Sequence, residues 1–512
     1  TLGDLALEEF IMPWVEWCHQ LGHLARNQAH GSPGNVLDLY AAADIPETEV
    51  FRNVDTDTPI MSKLASSAAH VAGRRLVSSE TGTWLREHFH VSLADLKLLV
   101  DNLFVSGINH HVYHGTAYSP ADAPWPGWLF YASSQLNPGN SIWRDFGALN
   151  EYVTRCQSVL QESRPDGDLL VYFPLHDVFH RAEARLGSWL GIEGGWLRET
   201  RAMSTLRDLW NGGCEFDFIS DRQIEEIRVS EAGLETSGGV YRALLVPPCR
   251  FLPVDTARRL RELSEEGASI LFQDPVNVDV PGYAEVTERR AELRRLLDDV
   301  PGLPGLDEAL ESAGVRLENL GDVPGLLFTR RRWGRGHCYF IVNQGSECVD
   351  EWIPLVETGG SILVMDPMTG GAGVPETRGP EKPEVRVQLE PGASWILRTG
   401  VSHTPGVQAW RYRRVGDPGV TLKGLWRVEF LEGGPELPVP FETDCLECWT
   451  AGGGAAERFA GTALYRLAFE APSGGGTWML DLGKVHASAR VCLNGVDLGT
   501  LIGPTFRVYA GH

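Results

Sequence analysis

The sequence has no long basic run to offset its acidity: Lys plus Arg number 45 against 68 Asp plus Glu, a net charge of −23. Nucleic acid, which is gripped by clustered cations, is therefore not an expected partner. No stretch approaches the roughly 20 apolar residues needed to cross a bilayer, so no membrane span is expected. The first residues also lack a basic-then-apolar leader pattern. Cysteine is sparse and odd in number, nine in 512 residues, which excludes a dense disulfide framework but leaves an isolated pair open. The close pair Cys445-x-x-Cys448 has no two further ligands at zinc spacing and no thioredoxin-like βαβ context, so these read as incidental cysteines.

What is present is the balance of a folded chain, 43% hydrophobic and 22% charged. Single cores stop growing at roughly 250–300 residues, so three or four domains are expected. Sixteen Trp, twelve Tyr and nineteen Phe supply core packing first. They also supply flat rings of the kind that meet the C–H faces of pyranoses. The chain starts at Thr1 and stops at Val508-Tyr509-Ala510-Gly511-His512 inside a strand-like pattern, so both ends are expected to be cut. The place of a signal peptide goes with the start, and localisation stays open between extracellular or periplasmic and cytoplasmic.

Residues 1–225 alternate short apolar runs with helical stretches, the pattern of a parallel α/β unit. Strands are expected at Arg75 to Glu80, Gly107 to His114, Asp168 to Leu175 and Cys214 to Ser220, with helices at Ser92 to Asn102 and Phe146 to Leu160. Four or five strands where a closed barrel needs eight imply the C-terminal part of a (β/α)8-type barrel. From 226 to 322 a strand at Tyr241 to Val246, a helix at Asp255 to Glu266 and a strand at Ser269 to Phe272 predict a small α/β domain. Beyond it, runs such as His337 to Val342, Ser361 to Met365 and Ala463 to Phe469 alternate with Gly/Pro turns. They predict one β-sandwich over 323–400 and a second, truncated one over 401–512.

Barrel enzymes build their sites from strand ends and the loops that follow. Glu80 closes an apolar strand in Ser78-Ser79-Glu80-Thr81-Gly82-Thr83-Trp84, placing a carboxylate at a strand end beside Trp84. Against a surface charge, the ordinary fate of a Glu, stands that context. A glycosidase needs two carboxyl groups, one to protonate the leaving oxygen and one to attack or activate water. Glu47 and Glu49, after Pro46 in what reads as a loop, join the set together with the polar stretch Gln28-Ala29-His30-Gly31. Asn109, His110, His111 and His114 crowd one strand, where alternation sends two of them to one face. They line a wet cleft or satisfy buried neighbours; irregular spacing and the lack of an HExxH pattern weigh against zinc. Trp125 and Trp128, in a loop holding Phe130 and Tyr131, form either a ring platform or a packing anchor. Asp177, Asp217 and Asp221 stand at strand ends, suited to hydroxyls or a hard cation.

The runs SSETGTWLREHF, GINHHVYHGTAYSP, WPGWLFYASSQLNP, EYVTRCQSVLQ and LLVYFPLHDVF, in that order, resemble the α-L-rhamnosidases of glycoside hydrolase family 106. The ending LDLGKVHASARVCLNGVDLGTLIGPTFRV resembles the galactose-binding-type sandwich of such enzymes, and 241–281 resembles the flavodoxin-like domain of certain β-galactosidases. The resemblance implies inverting hydrolysis of terminal α-L-rhamnosides, with a carbohydrate partner and a calcium ion at the sugar hydroxyls. It makes Glu80 the general base and Glu47 a further acidic member, and places the general acid upstream of Thr1. His30, Trp84, Asn109, His110, His114, Trp125, Trp128 and Asp177 are the expected substrate contacts. Two alternatives stay open: a retaining, β-galactosidase-like enzyme with Glu80 as nucleophile, and a non-catalytic carbohydrate-binding protein.

Overall fold

The computed structural model describes residues 2–51, 55–180, 195–356, 359–379, 383–401, 406–413, 419–470 and 478–510. The chain is mixed α/β followed by several antiparallel β-sheets, and it divides into two compact units. One comprises Thr1–Thr81, Leu98–Tyr113 and Val153–Trp410; the other comprises Gly82–Lys97, His114–Tyr152 and Arg411–His512.

The first unit opens with a repeating strand–helix pattern: β1 (Arg26–Asn27), helix Val36–Ala42, β2 (Ile45–Glu49), helix Thr58–Val71, β3 (Ser78–Thr81), helix Leu93–Val105 and β4 (His110–Tyr113). The strands pair in sequence order, β1-β2-β3-β4, and every pairing is parallel. Local chemistry sets the helix ends. The Asn35 side chain accepts the Leu37 amide at the start of Val36–Ala42, and Pro59 occupies the first turn of Thr58–Val71, where its missing N–H costs nothing. That helix is buried almost throughout, and its small residues Ala65, Ser66, Ala68 and Ala69 let it lie close to its neighbours.

A second parallel sheet orders Ser269–Phe272, Ala243–Val246, Leu169–Tyr172 and Phe216–Ile219. Its strands Leu169–Tyr172, Phe216–Ile219 and Ala243–Val246 are buried at every position, as continuous apolar runs in a covered parallel sheet should be. Residue 225, the expected division between two domains, falls in the chain between strands of this one sheet. Next comes a six-stranded sheet running from Ala372–Gly373 through Ser361–Met365, Ser394–Val401, Gly336–Asn343 and Leu326–Trp333 to Arg164–Pro165. The second unit carries Trp426–Gly434 between Phe441–Thr443 and Ala460–Arg466, and two further strand pairs.

The strands expected at Arg75 to Glu80, Gly107 to His114, Asp168 to Leu175 and Cys214 to Ser220 are present as the shorter Ser78–Thr81, His110–Tyr113, Leu169–Tyr172 and Phe216–Ile219, while Ser269–Phe272 keeps its expected bounds. One expectation is corrected. Glu47 and Glu49 lie in strand β2 and not in a loop. Pro46 sits at its second position, opposite Asn27 of the two-residue strand β1.

A polar knot ties the second parallel sheet to the six-stranded one. Arg330, 1% exposed, donates to Asp166 at 2.9 Å, Glu318 at 2.8 Å and Asp168 at 3.3 Å. Arg316 reaches Asp168 at 2.6 Å. Burial pushes the Asp166 carboxyl up, but Arg330, Arg316, His337 and Arg332 outweigh it and hold it below the usual carboxylate range. A depressed carboxylate contributes stability that is present above its unfolded value and lost as pH falls through its folded value. Arg330→Ala is expected to cost about 3–5 kcal/mol by stranding buried carboxylates. Urea denaturation at neutral pH checks the loss, and repeating it in acid should show a shallower acid dependence in the variant.

Candidate active site

Parallel pairing puts Glu47 opposite Ser78 and Glu49 opposite Glu80, and Ser78 and Glu80 opposite His110 and Val112. Side chains of paired residues project to the same face of a sheet, and i and i+2 share a face. Glu47, Glu49, Glu80 and His110 therefore share one face, while Thr48, Ser79, Thr81 and His111 take the other. The second face is packed: His111 meets Phe104 edge-on at 4.8 Å and contacts Thr81 Oγ1 at 3.0 Å. Burial and the neighbouring His110 bring its imidazole down to about 3, so it is neutral at physiological pH.

The carboxylate face is held by polar partners, as burial of charge requires. Gln28 Nε2 donates to Glu80 Oε2 at 2.7 Å, fixing that carboxylate's direction. Ser78 Oγ donates to Glu47 Oε2 at 2.8 Å, and Arg26 Nε stands 3.3 Å from the same oxygen. His30 bridges Tyr40 at 3.3 Å and Glu49 at 3.5 Å. Glu47 and Glu49 are each 7% exposed. Burial raises Glu47 above the usual carboxylate range; Ser78 and Arg26 oppose the rise and the charges of Glu80 and Glu49 add to it. Burial and Arg26 lower His110. The face thus combines Glu80, aimed by an amide, with Glu47, whose proton affinity burial raises.

The other expected residues are distributed as follows. Asn109 is buried and committed to backbone, accepting from Val77 N and donating to Arg75 O, both at 2.9 Å. Asp177 belongs to the helix Leu175–Phe179 after a strand of the second sheet, and its carboxylate accepts the amides of Arg250 and Phe251 at 2.8–3.0 Å. Asp217 is bound to His70 and Tyr241, each at 2.9 Å, and Asp221 accepts from Tyr172 and Thr256. In the second unit, Trp84 is buried, and His114 contacts Thr83 at 3.1 Å and meets Phe130 edge-on. Trp125 and Trp128 are 44% and 57% exposed. Arg26, Tyr40 and Ser78 had carried no assigned role, and Gln28 had entered only as part of a polar stretch; pairing between strands distant in sequence is what brings Arg26, Gln28 and Ser78 to the acids.

Residues 1–183 match the family model of glycoside hydrolase 106, alpha-L-rhamnosidase. A curated protein of Formosa agariphila named "Putative beta-glucuronidase" is 24% identical over 362 residues, 68% of this chain and 28% of that protein. Among solved structures, the rhamnosidase from Novosphingobium sp. PP1Y superposes with a TM-score of 0.80 at 21% identity, covering 99% of this chain and 49% of that one. A beta-galactosidase from Bacillus circulans sp. alkalophilus gives 0.52 at 12% identity, covering 78% of this chain and 67% of that one. At these identities the structures show a shared fold. The chain spans about half of the Novosphingobium rhamnosidase and 28% of the Formosa protein.

The electrostatics of this face can be read directly. Because the Glu80 charge helps to raise Glu47, Glu80→Gln is expected to move the Glu47 titration to lower pH. Arg26→Met is expected to move it to higher pH. Carbon NMR of labelled glutamate side chains checks both, and burial as the larger cause keeps Glu47 above its ordinary value in the Glu80→Gln chain.

Proposed function

We propose that this chain is part of an enzyme that releases terminal α-L-rhamnose from glycans or glycosides with inversion at the anomeric carbon. The observation that carries the reading is the face bearing Glu47, Glu49 and Glu80, with Gln28 directed at Glu80, inside the segment matched to α-L-rhamnosidases. Glu80 is the general base: it takes a proton from water as that water attacks the anomeric carbon. A second carboxyl group of the whole protein protonates the leaving oxygen, the two standing about 6.5–9.5 Å apart so that water fits between. Glu47, with its raised proton affinity, tunes the charge around Glu80, and His30 and His110 bind sugar hydroxyls.

The finer architecture belongs to the same proposal. The sequential parallel order β1-β2-β3-β4 with intervening helices supports part of a (β/α)8-type barrel. A flavodoxin-like domain beside it and a galactose-binding-like sandwich at the end complete the reading. A calcium ion is the further expectation from the resemblance. Among the described residues no group of three His, Cys, Asp or Glu side chains gathers to hold a metal, and the acids on this face are engaged by Gln28, Ser78, Arg26 and His30. No step is routed through the ion.

The name of the Formosa relative supplies a second reading, hydrolysis of a β-glucuronide. Arg26 beside Glu47 favours it to the extent that a guanidinium can bind a uronate. Turnover of aryl α-L-rhamnoside and aryl β-glucuronide, measured on this chain and on a protein extended at its N-terminus, separates the two. On the rhamnoside, Glu80→Gln is expected to lower kcat by about 10²–10⁴ or more with the fold intact. Near-normal turnover would remove Glu80 from the mechanism.

A further inference from the structure

The second unit contains a cavity of about 420 Å³ whose walls include Trp125, Trp143, Arg144, Glu432, Gly433 and Gly461. Its size falls in the range of roughly 300–1,000 Å³ typical of small-molecule sites. Glycine makes the wall. A Cβ at Gly434 would stand 2.5 Å from Cδ2 of the Trp125 ring, and one at Gly461 would stand 2.1 Å from the Glu432 carbonyl oxygen. Gly433, at φ +137°, adopts a conformation that side-chain-bearing residues rarely take. The backbone of the strand Trp426–Gly434 thus packs directly against the indole of Trp125.

Trp125 and Trp143 nevertheless keep 44% and 42% of their surface exposed. Trp143 lies over Phe146, with centroids 6.0 Å apart and planes at 22°, so its ring is braced from behind. Between the rings the charged groups cancel: Arg144 Nη1 donates to Glu432 Oε1 at 3.1 Å. The strip carrying Arg144 is fixed in turn by Asp145, which accepts from Arg490 and Ser488, each at 2.5 Å. Two braced, half-exposed indoles, an ion pair offering both donor and acceptor, and no net charge suit a ligand with apolar C–H faces and hydroxyl edges. A phosphorylated or otherwise anionic ligand would find no surplus cation here.

From these features we infer that this cavity is a saccharide-binding site of the second unit. It takes a neutral oligosaccharide whose rings lie on Trp125 and Trp143 while its hydroxyls bond Arg144 and Glu432. The inference rests on the carbohydrate reading of the protein but needs no catalysis. It also gives Trp125, a residue singled out by its aromatic loop, a partner surface more than 300 residues further along the chain.

The test uses the 512-residue chain with 5-fluorotryptophan in place of Trp. Fluorine resonances of Trp125 and Trp143 are assigned from Trp125→Phe and Trp143→Phe, and a rhamnose trisaccharide and maltotriose are titrated separately. Both resonances are expected to shift saturably with at least one probe, and Trp143→Ala is expected to weaken that probe tenfold or more without changing the thermal midpoint. Glu432→Gln, which keeps the shape and removes the charge, is expected to weaken it severalfold. Unmoved resonances with both probes, or unchanged affinity in Trp143→Ala, would overturn the inference. Turnover of the aryl rhamnoside is scored in parallel on the whole protein, which supplies the second carboxyl group. Shifting resonances without turnover would leave the pocket and count against the hydrolase reading; turnover with unmoved resonances would do the reverse.

Discussion

The parallel register between β2 and β3 is the constraint from which the candidate site follows. Pairing Glu49 with Glu80 and Glu47 with Ser78 places three carboxylates on one face. A slip by one residue would turn Glu80 toward the packed side, where Thr81 and His111 now meet. The register is protected on that packed side by contacts that tolerate no charge, such as the neutral imidazole of His111 against Phe104. On the open side, Arg26, Gln28, His30 and Ser78 each contribute one polar contact to one acid. Burial disfavours the charged form of Glu47, the nearby charges of Glu80 and Glu49 add to the effect, and its carboxyl keeps its proton to higher pH as a result.

Elsewhere in the first unit, buried charge has a different use. Arg330, Asp166, Asp168, Glu318 and Arg316 saturate one another, and His70, Asp217 and Tyr241 form a second closed set. Neither set leaves carboxylates spare for a ligand. These scaffold carboxylates are matched by cations or by several donors, and on the candidate face the Gln28 amide directs Glu80. Asp166 and Asp217 are accordingly lowered and Glu47 is raised.

Much of this was legible in the sequence. Glu80 could be found because an apolar run ended in an acid, and the β/α alternation followed from run length and helical periodicity. Glu47 and Glu49 were legible as site members but not as strand residues, because Pro46 beside two acids reads as a turn. The pairing that aligns them with Glu80 is a long-range fact with no local signature. Asp177, Asp217 and Asp221 share the strand-end position of Glu80, yet their partners come from segments up to 147 residues away, as with His70 and Asp217. Spacing along the chain could not distinguish an acid that waits for substrate from one that binds a backbone amide. The division near residue 225 was drawn where composition changes, while hydrogen bonding joins strands on both sides of it into one sheet.

The central claim, that the face carrying Glu47, Glu49 and Glu80 is where a rhamnoside is hydrolysed, is tested most directly by a crystal structure of the whole protein with residue 80 changed from Glu to Gln and an α-L-rhamnoside bound. The account predicts the sugar on this face, its anomeric carbon within reach of residue 80 through one water and its hydroxyls near His30 and His110. A sugar bound elsewhere with this face empty would contradict it.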